Sequence, residues 1–407
     1  MVKKMKKWLF ISLAALVLST CQRSPIEIVD FDTFQVTSVK YSNVIENGTL
    51  NPEIRTMELE DEDEAKVAST SVVELAKQLL ETMESNQIIQ IAGTYTGHDI
   101  DGAPITLSGK VFLPAKGKIK NMLLISHWTI GANRECPSES FSLEGIFASK
   151  GYAVVIADYI GFGVTANRVH PYMHLESTAR SEVDMALAVK PYLEAIGRAP
   201  ESDKVVLVGY SQGGSTTLGV MKILQEEYSK ELPIEMVYAG GGAYDMAATF
   251  DVAMMEDRTG IPCAIPMILQ GINEGDDLGL NLSDFFQPVL MEHLDEWVNS
   301  KHYTLFEINH LLNAKKVSDL MTDAGRDKHN PQTAKLYRAL MSNSILFFTP
   351  HSPVYLFHSR DDNTVSFINA AKAEEYFKGK DVLYDFGNYG SHQVAALLFL
   401  YRVYKFL

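Results

Sequence analysis

Val205-Val206-Leu207-Val208-Gly209-Tyr210-Ser211-Gln212-Gly213-Gly214 carries an apolar, β-branched run into a glycine-flanked serine, and a helical pattern follows over residues 215–228. A short run that is apolar on every side chain suits a strand buried on both faces, as in parallel sheets. The glycines of Gly-x-Ser-x-Gly permit a sharp strand-to-helix turn that tolerates no bulk beside the serine. The same alternation extends outward. Residues 121–127 and 152–158 are apolar strands, and 141–150 and 175–196 are helices. Residues 88–97 and 105–113 form a hairpin about Asp99, Asp101 and Gly102. Downstream, 353–358 predicts a strand, 366–377 a helix and 381–386 a strand. Strands separated by helices define an α/β protein with a mostly parallel central sheet and helices on both faces.

The alternation lapses over residues 246–349, where helical patterns dominate at 285–297, 305–312 and 333–341. A helical block inserted between late strands is the expected place for a cap over a site. The chain of 407 residues then divides into an export signal (1–20), an N-terminal extension (21–87), a core (88–245 and 350–407) and a helical cap (246–349). The extension holds the acidic run Glu58-Leu59-Glu60-Asp61-Glu62-Asp63-Glu64, read as solvated surface, and a helical pattern over 65–85. A net charge of −15 speaks against a nucleic-acid partner, which needs a clustered basic face.

Lys3, Lys4, Lys6 and Lys7 precede an apolar run over 8–18 that is too short for a comfortable membrane span. Leu18-Ser19-Thr20-Cys21 resembles a bacterial lipobox, which implies an exported lipoprotein anchored to a membrane through acylated Cys21. The alternative is a plain secretory signal cleaved nearby. Two cysteines remain, Cys136 and Cys263. In an oxidising compartment they could form one disulfide; otherwise they are two buried thiols.

A serine hydroxyl is a weak nucleophile at neutral pH, so a base must take its proton and an acid must orient the base. In this strand-turn-helix setting the order along the chain is serine, acid, histidine. Asp361 and Asp362 follow the 353–358 strand, and His392 follows the 381–386 strand. The blander readings are a solvent-facing serine in a tight turn and a surface or helix-capping histidine. The backbone N–H of Gln212 and one from the loop Ser126-His127-Trp128-Thr129-Ile130-Gly131, assigned to Thr129, would form an oxyanion hole. No His-Glu-x-x-His, paired Cys-x-x-Cys or calcium loop occurs. Gly240-Gly241-Gly242 lacks a phosphate-loop ending, so neither metal nor cofactor is expected.

Several stretches together resemble the secretory lipase group of α/β-hydrolases, which includes the Candida-type lipase A enzymes. They are His127-Trp128-Thr129-Ile130-Gly131 with Cys136-Pro137-Ser138, Asp158-Tyr159-Ile160-Gly161-Phe162-Gly163, His170-Pro171-Tyr172 and Glu176-Ser177-Thr178-Ala179-Arg180. Trp128 stands where members usually carry glycine, and Cys136 lacks the usual spacer before the proline. The resemblance implies an α/β-hydrolase fold with a helical cap, a small-molecule or lipid ester as substrate, and Ser211, Asp362 and His392 as the triad. In related hydrolases the acid commonly stands three residues before a valine, and Asp362 with Val365 fits. A serine peptidase of the same fold and a non-catalytic ligand-binding surface lipoprotein are the rival readings.

Overall fold

The computed structural model describes residues 34–56 and 62–407; the export segment, Cys21 and residues 58–61 of the acidic run lie outside the described residues. Among these, nine strands form the central sheet. In chain order they are β1 (Phe34–Asn43), β2 (Gln87–His98), β3 (Pro104–Pro114), β4 (Met122–Ser126), β5 (Ala153–Ala157), β6 (Val205–Tyr210), β7 (Ile234–Gly240), β8 (Val354–Ser359) and β9 (Val382–Gly387). Across the sheet they lie β1-β2-β3-β5-β4-β6-β7-β8-β9. Every pairing from β5 to β9 is parallel, and β1, β2 and β3 close one side with antiparallel pairings. The sheet is therefore mostly parallel, as the alternation predicts.

The helices are α1 (Glu62–Thr82), α2 (Leu175–Ala195), α3 (Gln212–Glu227), seven in the insert between β7 and β8, then α11 (Ile368–Tyr376) and α12 (His392–Phe406). Successive strand residues point to opposite faces, and both faces are covered. Val205 and Leu207 of β6 join a buried cluster with α2 and α3, whereas Val206 and Val208 join another with α1 and α12. The insert helices are α4 (Met246–Glu256), α5 (Ala264–Gly275), α6 (Pro288–Leu294), α7 (Leu305–Leu312), α8 (Val317–Leu320), α9 (Asp323–Arg326) and α10 (Pro331–Ser342). They bury a third cluster, which Tyr172 and Met173 of the core join.

Two expectations change, and one strand is added. The predicted helix over 141–150 is a two-residue bridge strand, Phe141–Ser142, followed by the 3₁₀ helix Leu143–Lys150. Gly145 there lies against the Phe112 ring, and residues 143–149 are all buried, so there is no polar face to give an ordinary amphipathic turn. Strand β1 lies inside the N-terminal extension and forms the edge of the sheet; its polar sequence gives only weak alternation. The expected disulfide is absent: Cys136 and Cys263 are both buried as thiols. Cys136 packs in the core layer with α1 and α12, Cys263 in the insert's own cluster, so the two sulfurs belong to different hydrophobic units.

Candidate active site

The β6-to-α3 turn raises Ser211 at the end of the parallel strands. Its backbone is held at φ 61°, ψ −125°, a conformation costly for any residue with a Cβ. Surrounding structure enforces it: Ser211 N–H donates to the Gly240 carbonyl at 2.9 Å, and the Ser211 carbonyl accepts from Gly214 N–H at 2.9 Å. Gly213 is needed because a Cβ there would run into the Ser126 carbonyl oxygen. At Gly209 a Cβ would strike the Gly213 carbonyl and the Thr217 hydroxyl.

Ser211 Oγ lies 2.8 Å from His392 Nε2, and His392 Nδ1 lies 2.7 Å from Asp362 Oδ2. An ionised carboxylate can only accept, so Nδ1 carries the proton and Nε2 offers its lone pair to the serine hydroxyl. Ser211 and His392 are 9% and 4% exposed. His392 is the first residue of α12, with its loop tied down: the Ser359 hydroxyl donates to Gly390 carbonyl at 2.7 Å, and Tyr210 hydroxyl to the His392 carbonyl at 2.9 Å.

The two neighbouring aspartates part company. Asp362 is fully buried in its side chain, and its Oδ1 accepts from the N–H groups of Thr364 and Val365 at 2.9 and 2.7 Å. Burial pushes its pKa up, but the charge and hydrogen bond of His392, with His358 and Thr364 N–H, outweigh this and hold it below the usual carboxylate value. Asp361 is exposed and accepts from Asn388 Nδ2 at 2.7 Å. It caps no helix; α11 starts at Ile368. Buried His358, which sequence reasoning passed over inside an apolar strand, donates from Nε2 to the Val365 carbonyl at 3.0 Å and lies 3.6 Å from Asp362 Oδ2.

Thr129 and Gln212 line the same cavity of about 210 Å³ as Ser211 and His392. Thr129 Oγ1 is 2.7 Å from the Tyr172 hydroxyl. Gln212 opens α3, and its Nε2 donates to His170 Nε2 at 3.1 Å, while His170 Nδ1 donates to the Ile160 carbonyl at 2.6 Å. Burial lowers the His170 pKa to about 4, so at neutral pH its Nε2 is free to accept. His127 is also neutral, with burial lowering it to about 3, and its Nδ1 donates to the Trp128 carbonyl at 2.6 Å. Asp158 accepts from the Ser108 hydroxyl at 2.5 Å and from Ser138 N–H at 2.8 Å, joining the Asp158 and Cys136-Pro137-Ser138 stretches. The insert supplies much of the apolar wall, including Ile261, Ile265, Ile268, Leu305 and Phe306. Arg55 and Thr56 of the N-terminal extension also line it, and no sequence signal marks them. Among the described residues no cluster of His, Cys, Asp and Glu could hold a metal ion.

A strained serine on a strand-to-helix turn, hydrogen-bonded through histidine to a buried carboxylate, on a mostly parallel sheet, defines an α/β-hydrolase. The secretory lipase family profile matches residues 138–392, more than half of the chain, and the chain belongs to that family. It is therefore a hydrolase of the lipase and esterase kind, acting on ester bonds. No curated protein matches the sequence. Among solved structures, a putative hydrolase from Legionella pneumophila superposes with TM-score 0.73 at 23% identity, over 83% of this chain and 94% of that one. The rice cell wall degrading esterase LipA from Xanthomonas oryzae gives 0.66 at 22% identity, over 81% and 91%. Candida antarctica lipase A in its closed state gives 0.59 at 16% identity, over 75% and 73%. At these identities the likeness is one of fold.

Proposed function

We propose that this chain is an exported serine esterase that acts through an acyl-enzyme on Ser211. His392 takes the serine proton as Oγ attacks the ester carbonyl and returns it to the departing alcohol. Asp362 keeps the imidazole in the competent tautomer and stabilises the imidazolium. The N–H groups of Thr129 and Gln212 receive the oxyanion. Water, activated by the same histidine, then releases the acid. The observation that carries this reading is the unbroken relay from Asp362 through His392 to Ser211, at 2.7 and 2.8 Å, ending in a cavity with an apolar wall. That wall suits an acyl chain, and the helical insert, residues 246–349, acts as its cap. Export rests on the basic and apolar segment before Cys21, and acylation of Cys21 would tether the enzyme to a membrane.

The test is a panel of p-nitrophenyl esters of increasing acyl length, set beside aminoacyl amides and acetylated sugars, with Ser211→Ala as the blank. Ester turnover should fall at least ~10⁴-fold in the variant, as expected when a triad member is lost. A fluorophosphonate probe should label the parent with one equivalent and leave Ser211→Ala unlabelled. Undiminished ester turnover in the variant would refute the serine mechanism, and turnover of amides alone would move the substrate to peptides.

A further inference from the structure

The oxyanion loop is gripped from a part of the chain that the family profile does not reach. Ile54 and Arg55 pair in parallel with Phe141 and Ser142, so backbone hydrogen bonding delivers Arg55 to the wall of the cavity. Its guanidinium lies over the Trp128 ring, 5.3 Å from the centroid, and its Nη1 is 4.0 Å from Glu135 Oε1. The side chain is only 16% exposed, and among the described residues its Nε and Nη2 are buried with no hydrogen-bond partner. A cation so far removed from water is held chiefly by the indole face and by carboxylates, and weak hydration makes arginine the cation suited to that. The other carboxyl in its electrostatic reach is buried Glu144.

Both contacts bear on one loop. Trp128 immediately precedes Thr129. Glu135 uses its other oxygen, Oε2, to accept from Gly131 N–H at 3.0 Å and Ala132 N–H at 2.9 Å. Thr129 thus lies between a tryptophan covered by Arg55 and a backbone turn tied to a carboxylate that Arg55 attracts. A donor aimed at developing charge helps only if it is held in place before the reaction, because reorganising it would cost part of what it stabilises.

We infer that Arg55 is a positioning residue for the oxyanion loop, so that the N-terminal extension belongs to the catalytic apparatus. By covering Trp128 and attracting Glu135 it fixes the Thr129 N–H where the oxyanion forms. This rests on the serine-esterase reading above. Its signature is a loss carried by kcat and by a tetrahedral adduct, which a mere change in the cavity wall would not give.

The experiment compares the full chain with Arg55→Met, Arg55→Lys, Glu135→Gln and Ser211→Ala on p-nitrophenyl butyrate, together with inhibition by a boronic acid that forms a tetrahedral adduct with the serine. Since losing a whole donor typically costs ~10²–10³ in rate, a misplaced one in Arg55→Met should lower kcat ~10- to 100-fold with KM within about twofold. The boronic acid should weaken by a similar factor. Arg55→Lys keeps the cation and should recover at least about threefold over Arg55→Met, short of the parent because lysine lacks the planar fork. Glu135→Gln should repeat the pattern from the other side of the loop, and it decides the matter if Arg55→Met fails to fold by circular dichroism. Parental kcat in both Arg55→Met and Glu135→Gln, or a loss in KM alone, overturns the inference while Ser211→Ala is dead. Full activity in Ser211→Ala would instead remove the serine reading on which it rests.

Discussion

At the scale of single residues, the division of labour between two adjacent aspartates is the sharpest feature of the site. Neighbours at a strand end point in different directions, and here one is buried against His392 while the other meets Asn388 at the surface. Two backbone N–H groups fix the orientation of Asp362, so its exchange for asparagine should leave the fold intact and remove the charge that holds the imidazole proton on Nδ1. Turnover in Asp362→Asn should drop ~10³- to 10⁴-fold, whereas Asp361→Asn should cost under about tenfold. Both variants are to be measured on one ester and checked by circular dichroism; the reverse order of losses would transfer the acid's role to Asp361. The sequence already narrowed the acid to these two, because chain order and strand ends are visible in it. Which of the two is buried was not visible, since it depends on α12 closing over the β8 end. His170 stood out only within the stretch His170-Pro171-Tyr172, since its link to Gln212 spans 42 residues; Arg55 also acts through partners distant in the chain, and His358, though its contacts Asp362 and Val365 are local, is hidden in an apolar strand.

At the scale of elements, what could be read and what could not follow one physical rule. The parallel strands and α2 and α3 are strongly patterned, because each is buried on a face that the sequence must fill, and they fall close to their expected places. Strand β1 and the bridge Ile54–Arg55 owe their structure to partners elsewhere, so nothing local announces them. The same rule explains the cysteines. Composition and an export signal favour a pair, but pairing needs two sulfurs within one unit, with Cα atoms ~4.4–6.8 Å apart. Cys136 belongs instead to the core layer and Cys263 to the insert. Burial pushes the Cys136 thiol up to about 12, so little thiolate forms to be oxidised. Protein purified without reductant should therefore show two reactive thiols after denaturation and almost none before, in a thiol-reagent titration on the chain lacking its first 21 residues. Its unfolding temperature should not respond to dithiothreitol. A titration of zero in the denatured, unreduced protein would contradict the structure.

At the scale of the whole molecule, close packing on both faces of the sheet leaves ionisable groups in places where charge is expensive, and stability must then depend on pH. Glu144 is the case best suited to measurement. It is 3% exposed in the buried 3₁₀ helix, and burial raises its pKa to about 7 against the opposing attraction of Arg55. The ordinary value for the unfolded chain is 4.5. Between pH 4.5 and about 7 the native protein therefore keeps a proton that the unfolded chain has released, so this residue makes stability fall as pH rises through that window. Above it both states are ionised and the penalty is constant, at most roughly 3 kcal/mol from the displacement in pKa. Asp158 and Glu182 are buried with raised values too, and would bend the absolute curve in the same sense. A comparison with Glu144→Gln cancels them, because the amide keeps the shape and cannot ionise. Urea unfolding of parent and variant should give similar free energies near pH 4.5 and a gap that opens in favour of the variant up to about pH 8. Parallel curves across that range would mean that Glu144 ionises in the native state as easily as in the unfolded chain, and that Arg55 fully compensates its burial.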